Sequence, residues 1–322
     1  MHFQDFLHKH AETQLCEHYT VAGATCRLCT NCEQLLETAR TCFLPTEGVS
    51  GRTDFSLRFW VDDADSKQPP WPKPYVRGLD HLVFASFDSG SSMVVDLLTC
   101  RVIGRVSAGI AVDTKYWRTV IFPMLLTIVS ASVGIAEVHC ACVSKDQDGI
   151  LLAGPSRSGK STLALALSQM GCGFLSDDRA FCSLENGDVF VWGLPTRLKL
   201  RQEAAVWFQG LRNEKAVDVR MGEPAFWLDP EDLPGLKRVR RCQPRSLVFL
   251  ERQETPQFCW SRMSSLEALT RLNRDLMAES PNAVSKRSGT IARLIELPCW
   301  LLQYCGEPHN IAQNILQHLA KI

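Results

Sequence analysis

The sequence lacks a surplus of charge of either sign. Its 322 residues carry 35 Lys and Arg against 35 Asp and Glu, a formal net charge of zero. A general nucleic-acid binder needs a basic excess, so that class is set aside, although a local basic patch is still allowed. An apolar N-terminal stretch is also missing. Residues 1–11 include His, Lys and Gln and do not read as a secretion signal. The expectation is a cytoplasmic protein whose 14 cysteines are thiols or metal ligands rather than a disulfide framework. There is no internal repeat and no low-complexity run. Long uncharged runs are absent apart from one, Thr119–Ala136, and Pro123, Ser130, Ser132 and Gly134 dilute it. At about 18 residues it only reaches the lower limit for spanning a bilayer, so it reads as a buried helix and no membrane is expected.

What is present is ample material for a core: 45% hydrophobic and 22% charged residues. Three regions are expected. Residues 1–48 form a Cys-rich helical head, with a helix from Asp5 to Tyr19, the stretch CRLCTNC, and a second helix from Cys32 to Cys42. Residues 49–115 form a small antiparallel β unit. In it, Phe55, Leu57, Phe59 and Val61 alternate with polar or amphipathic neighbours, and Asp88-Ser89-Gly90 makes a turn. Residues 116–322 alternate strands with helices, the mark of an α/β layer. Here the expected strands are Glu137–Ser144, Ile150–Ala153, Gly173–Ser176 and Leu247–Leu250. The expected helices are one ending near Met170, Ser265–Ala278 and Asn310–Ile322.

The strongest motif is Gly154-Pro155-Ser156-Arg157-Ser158-Gly159-Lys160-Ser161, which satisfies the P-loop pattern in full. It follows an apolar strand and opens a helix that continues through Thr162, which is the confirming context. Gly154 and Gly159 let the backbone bend so that its N–H groups face phosphate oxygens. The helix N-terminus adds unsatisfied donors and partial positive charge. Lys160 is expected on the β- and γ-phosphates, and Ser161 on Mg²⁺. One helix later come Asp177 and Asp178, at the C-terminal end of a strand, where α/β sheets place ligands. Two carboxylates beside Mg·ATP can divide the work, one accepting a proton from a hydroxyl and the other holding metal. His139, in the strand VHCACV, reads either as a core histidine or as a third member of this group.

The segment VHCACVSKDQDGILLAGPSRSGKSTLALALSQMGCGFLSDDRAF resembles the catalytic core of the HPr kinase/phosphorylase family and its relatives in peptide natural-product pathways. Weaker echoes run to the C-terminus, and none lies in the first fifty residues. The resemblance implies a fold related to phosphoenolpyruvate carboxykinase. It implies Asp177 as general base, Asp178 in support of metal or substrate, and His139 orienting the base. Gly193-Leu194-Pro195 stands where the family has a further metal-holding glutamate. The C-terminal block of the enzymes that phosphorylate HPr is missing, so the expected acceptor is a hydroxyl on a small molecule, an amino acid or a peptide. A nucleotide-binding partner protein without transfer activity is the second reading. Carboxykinase-like chemistry, suggested by fold kinship alone, ranks last. Self-association is left open.

Two further clusters complete the reading. Cys26, Cys29 and Cys32 form a CxxCxxC run, with Cys16 and Cys42 outside it. Thiolates so spaced either share Zn²⁺ or stay ordinary buried and surface thiols. The basic run Lys237–Arg241, with Arg245 beyond, either clamps phosphates or lies in a solvated loop, and Arg241 and Arg245 are its candidates for the site.

Overall fold

The computed structural model describes residues 11–46, 53–62, 68–194, 196–208, 211, 224–233, 235–255, 258–274 and 281–321. The chain forms two compact units, Met1–Val133 and Gly134–Ile322, so boundaries at 48 and 115 do not match the strand pairing.

The first unit opens with a hairpin of β1 (Leu15–Val21) and β2 (Ala24–Thr30). Its two-residue turn, Ala22-Gly23, has φ of 50° and 88°, the left-handed pair that matches strand twist. The helix expected over Asp5–Tyr19 is therefore corrected: residues 1–10 lie outside the described residues, and 15–21 is strand. Tyr19 and Val21 are buried two apart, a strand period. The helix Glu33–Cys42 lies where one was expected. After the short β3 (Leu44–Pro45) come β4 (Phe55–Asp62), β5 (Tyr75–Leu79), β6 (Leu82–Ser86), β7 (Ser92–Asp96) and β8 (Arg101–Ser107). They join one sheet in the order β3-β1-β2-β4-β8-β7-β6-β5. The sheet is mixed rather than antiparallel, because β4 runs parallel to both β2 and β8. Pairing of β2 with β4 makes the Cys-rich head and the β unit a single body.

One face of this sheet buries Leu28, Leu57, Phe59, Met93, Val95 and Val102. The run around Thr119–Ala136 is helical, through Trp117–Ile121, Phe122–Ser130 and Ala131–Val133. Trp117 sits 5.2 Å from the Phe59 ring, and Phe122 4.7 Å from Phe43. The run thus closes the first unit instead of opening the second. Among the described residues no helix is long and apolar enough to cross a membrane.

The cysteine expectations need correction as well. Cys16 and Cys29 face each other across β1 and β2 and are disulfide-bonded. Cys26, three positions from Cys29 on the same strand, points to the opposite, buried face, and Cys32 follows the strand's end. Among the described residues no group of three His, Cys, Asp or Glu is placed to hold a metal ion.

The second unit is built on β9 (Ala136–Val138), β10 (Cys140–Lys145), β11 (Asp148–Ala153), β12 (Gly173–Ser176), β13 (Ala180–Glu185), β14 (Asp188–Trp192), β15 (Leu198–Arg201), β16 (Ala225–Leu228), β17 (Lys237–Arg238), β18 (Arg241–Arg252), β19 (Phe258–Arg262) and β20 (Cys299–Tyr304). The main sheet runs β17-β12-β10-β11-β18-β14-β13-β9, with β20 against β18 and β19 against β20, while β15 and β16 pair apart. Both faces are buried. Ala141, Val143, Ile150 and Leu152 face the core that includes the helix Lys160–Gln169 and the C-terminal helix Pro308–Leu319. Cys140, Cys142, Leu151 and Ala153 face the other core, with the helices Ser265–Arg274 and Pro281–Ile295. Double burial explains why these strands read as continuous apolar runs. The strand expected over Glu137–Ser144 is broken at His139: β9 pairs with β13, and β10 with β11 and β12.

Candidate active site

Strand register brings the candidate residues together. β10 runs antiparallel to β11, with Cys140 opposite Ala153, so His139 stands beside the start of the glycine loop. β12 lies on the other side of β10, with Ser176 opposite Cys142. Its end delivers Asp177 and Asp178 to the same edge. The loop Gly154–Gly159 therefore shares one sheet end with His139 and both aspartates.

The loop's conformation is set by its residues. Gly154, Arg157 and Gly159 have φ of 147°, 72° and 94°. At Gly159 only glycine fits, since a Cβ would lie 2.2 Å from the Tyr304 hydroxyl. That hydroxyl donates to the Ser158 carbonyl at 2.5 Å and props the loop from β20. Gly159 caps the helix Lys160–Gln169 without a side-chain hydrogen bond, so the amides of Lys160, Ser161 and Thr162 stay available to an anion. Ser158 is buried, and its Oγ has no partner among the described residues. Pro155, Ser156 and Arg157 are exposed on the loop's outer side. Lys160 is buried, with Nζ donating to the carbonyls of Gly154 at 2.6 Å and Pro155 at 3.3 Å.

The two aspartates differ in environment. Asp177 is 5% exposed. Burial, reinforced by the nearby charge of Asp178, pushes its carboxyl up to about 7, against the backbone N–H of Lys199, which donates to Oδ2 at 2.9 Å. Ser161 Oγ reaches the Asp177 carbonyl at 3.5 Å. Asp178 is more open. Its Oδ1 lies 2.8 Å from His139 Nε2, and that hydrogen bond holds its carboxyl below the usual range, with Arg179 and Lys160 assisting. One carboxyl is thus disposed to carry a proton near neutrality, and the other to stay ionised.

Some contributors were not foreseen. Tyr304 comes from the far end of the chain, and no local motif marks it. Lys199 acts through its backbone, which sequence cannot show. Arg201 approaches Ser156 Oγ at 3.5 Å. Arg197, two residues before Lys199, has its Nε shielded from solvent without a partner among the described residues. Arg241 and Arg245, by contrast, are not brought to the site. Arg241 donates to Glu185 at 2.8 Å and lies over the Phe190 ring. Arg245 donates to Asp148, at the start of β11 and so about 17 Å of strand from the loop. Arg238 is held by the Leu194 carbonyl and Glu231. Gly193, in the neighbourhood where the resemblance would put a glutamate, passes so close to β12 that a Cβ would lie 2.4 Å from the Leu175 carbonyl oxygen.

No protein-family model matches the chain, and no curated protein does. Among solved structures, the Hpr(Ser) kinase/phosphatase from Coxiella burnetii aligns with 15% identity and a TM-score of 0.32, covering 58% of this chain and 97% of that one. This is a distant structural likeness.

Proposed function

We propose that the chain is an ATP-dependent kinase that transfers the γ-phosphoryl group to a hydroxyl of a small molecule, amino acid or peptide. The observation that carries the reading is a buried carboxyl, Asp177, at the same sheet end as a glycine loop with an inward lysine; burial pushes that carboxyl up to about 7. The buried Ser158 Oγ and the uncapped helical amides fit phosphate oxygens. Lys160 exchanges loop carbonyls for phosphate oxygens. Asp177 takes the proton of the acceptor hydroxyl, whose oxygen bonds to the γ-phosphorus as the bond to the ADP oxygen breaks. His139 keeps Asp178 ionised and oriented. Ser161 and Asp178 are the residues to hold Mg²⁺, which would neutralise charge on the transferred group. Positioning and electrostatics then supply most of the rate.

The crowding at Gly193 favours the second reading, a nucleotide-binding partner protein, because it bars a metal-holding side chain there. Incubation of wild type and Asp177→Asn with ATP·Mg²⁺ and a panel of hydroxyl acceptors separates the two. The kinase reading expects both proteins to bind ATP and the variant to transfer about 10²-fold more slowly. Binding without transfer by wild type would establish the second reading.

A further inference from the structure

Among the described residues, one face of the first unit's sheet carries exposed apolar side chains, and register aligns them in rows. One row runs Arg77, Phe84, Val94, Ile103, Arg58, from β5 through β6, β7 and β8 to β4. It is an apolar strip with an arginine at either end. Phe84 is 42% exposed and Ile103 50%. In the next row, Leu79 pairs with Leu82, and Leu79 is 63% exposed. The same row carries Asp96, then Arg101 across from it, and Arg27, both arginines being exposed. Among the described residues Arg58 and Arg101 have no ion-pair partner, whereas Arg105 is paired with Asp62. Exposed apolar side chains grouped on a face are the usual mark of an interaction site, and arginines that outnumber Asp96 on it give this one a sign.

We propose that this face docks an extended acidic polypeptide segment carrying apolar side chains. The apolar strip accommodates side chains from alternate residues of an extended chain, and Arg58 and Arg77 meet carboxylates at its ends. The row crosses four strand spacings, about 19 Å, which equals about six residues of extended chain. The fitting segment therefore has acidic residues six positions apart and apolar residues between them on the same side. A second copy of this chain is a poor occupant, because a two-fold contact through the face would set arginine against arginine. A nucleic acid would leave the aliphatic strip unused. The proposal uses none of the nucleotide-site residues and stands or falls independently of the kinase reading.

The test is fluorescence anisotropy on the full chain. The probe is a labelled seven-residue peptide, acidic at both ends, with leucine and phenylalanine at its third and fifth positions and serine elsewhere. Its control has lysine at both ends. The expected result is saturable binding of the acidic probe alone, weakened at least about tenfold by Arg58→Glu, by Arg77→Glu and by Phe84→Ser, each surface variant unfolding at the wild-type temperature. The proposal is overturned if the acidic probe fails to bind or binds the variants equally. It is equally overturned if only vesicles of phosphatidylcholine with phosphatidylserine, or only a single-stranded oligonucleotide, bind the face. Sedimentation showing a dimer that these variants dissolve would also overturn it.

Discussion

Asp177 and Lys160 are both charged groups taken out of water, and each has a consequence that can be measured. The folded pKa of Asp177 is raised from 3.8 to about 7, so the fold prefers the protonated acid. Its contribution to stability is fully present below about pH 4 and is lost as pH rises to 7, roughly 4 kcal/mol in all. Asp177→Asn removes that dependence. Thermal unfolding should show the variant gaining on wild type between pH 4 and 7 and holding a constant lead above; parallel profiles would mean the carboxyl is not buried as described. Lys160 donates to two loop carbonyls, and its charge helps to hold Asp178 ionised. Lys160→Met should shift the unfolding temperature only slightly, since the cost of burying an ammonium offsets the contacts that the variant gives up. The residues of this site were legible because the P-loop pattern and the aspartate pair are local: each lies within a few positions of a strand end. Lys199 and Tyr304 were not, since one contributes a backbone N–H and the other arrives from β20.

At the scale of elements, the loop is shaped by a strand 145 positions beyond Gly159, and this coupling can be tested. Gly159→Ala meets both a left-handed φ and the Tyr304 hydroxyl. It should cost about 1–3 kcal/mol and abolish ATP binding. Tyr304→Phe alone gives up one hydrogen bond, about 1 kcal/mol. The double variant should be more stable than the sum of the two losses, because removing the hydroxyl removes the clash; additive losses in urea unfolding would contradict the geometry. Element reading from sequence succeeded for the helix after the P-loop, which the motif itself places, and for β4, where a period of 2 is clean. It failed for β1, where polar residues on the exposed face of a hairpin resemble a helix and the Ala22-Gly23 turn carries no strong signal. It also missed the break at His139, which only the change of partner strand reveals.

For the whole molecule, the two units have separate cores and only one carries a disulfide. Reduction of Cys16–Cys29 opens a short loop of 13 residues' separation. It should destabilise the first unit by roughly 3 kcal/mol on the chain-entropy account, while ATP affinity in the second stays the same. Equal loss of both on adding dithiothreitol would show that the units unfold together. The alternation of strands and helices announced the α/β body correctly. The domain limits were misjudged because β2 and β4 pair across a gap in sequence, and because the apolar helix before Gly134 belongs to the sheet preceding it.

The claim on which the rest depends is that Gly154–Ser161 holds a nucleoside triphosphate. Isothermal titration of ATP·Mg²⁺ into wild type and Lys160→Met tests it most directly. One saturable site is expected in wild type, weakened about 10- to 100-fold when the charge-assisted contact of Lys160 is lost. Equal affinity in the two proteins, or no binding to wild type, would contradict it.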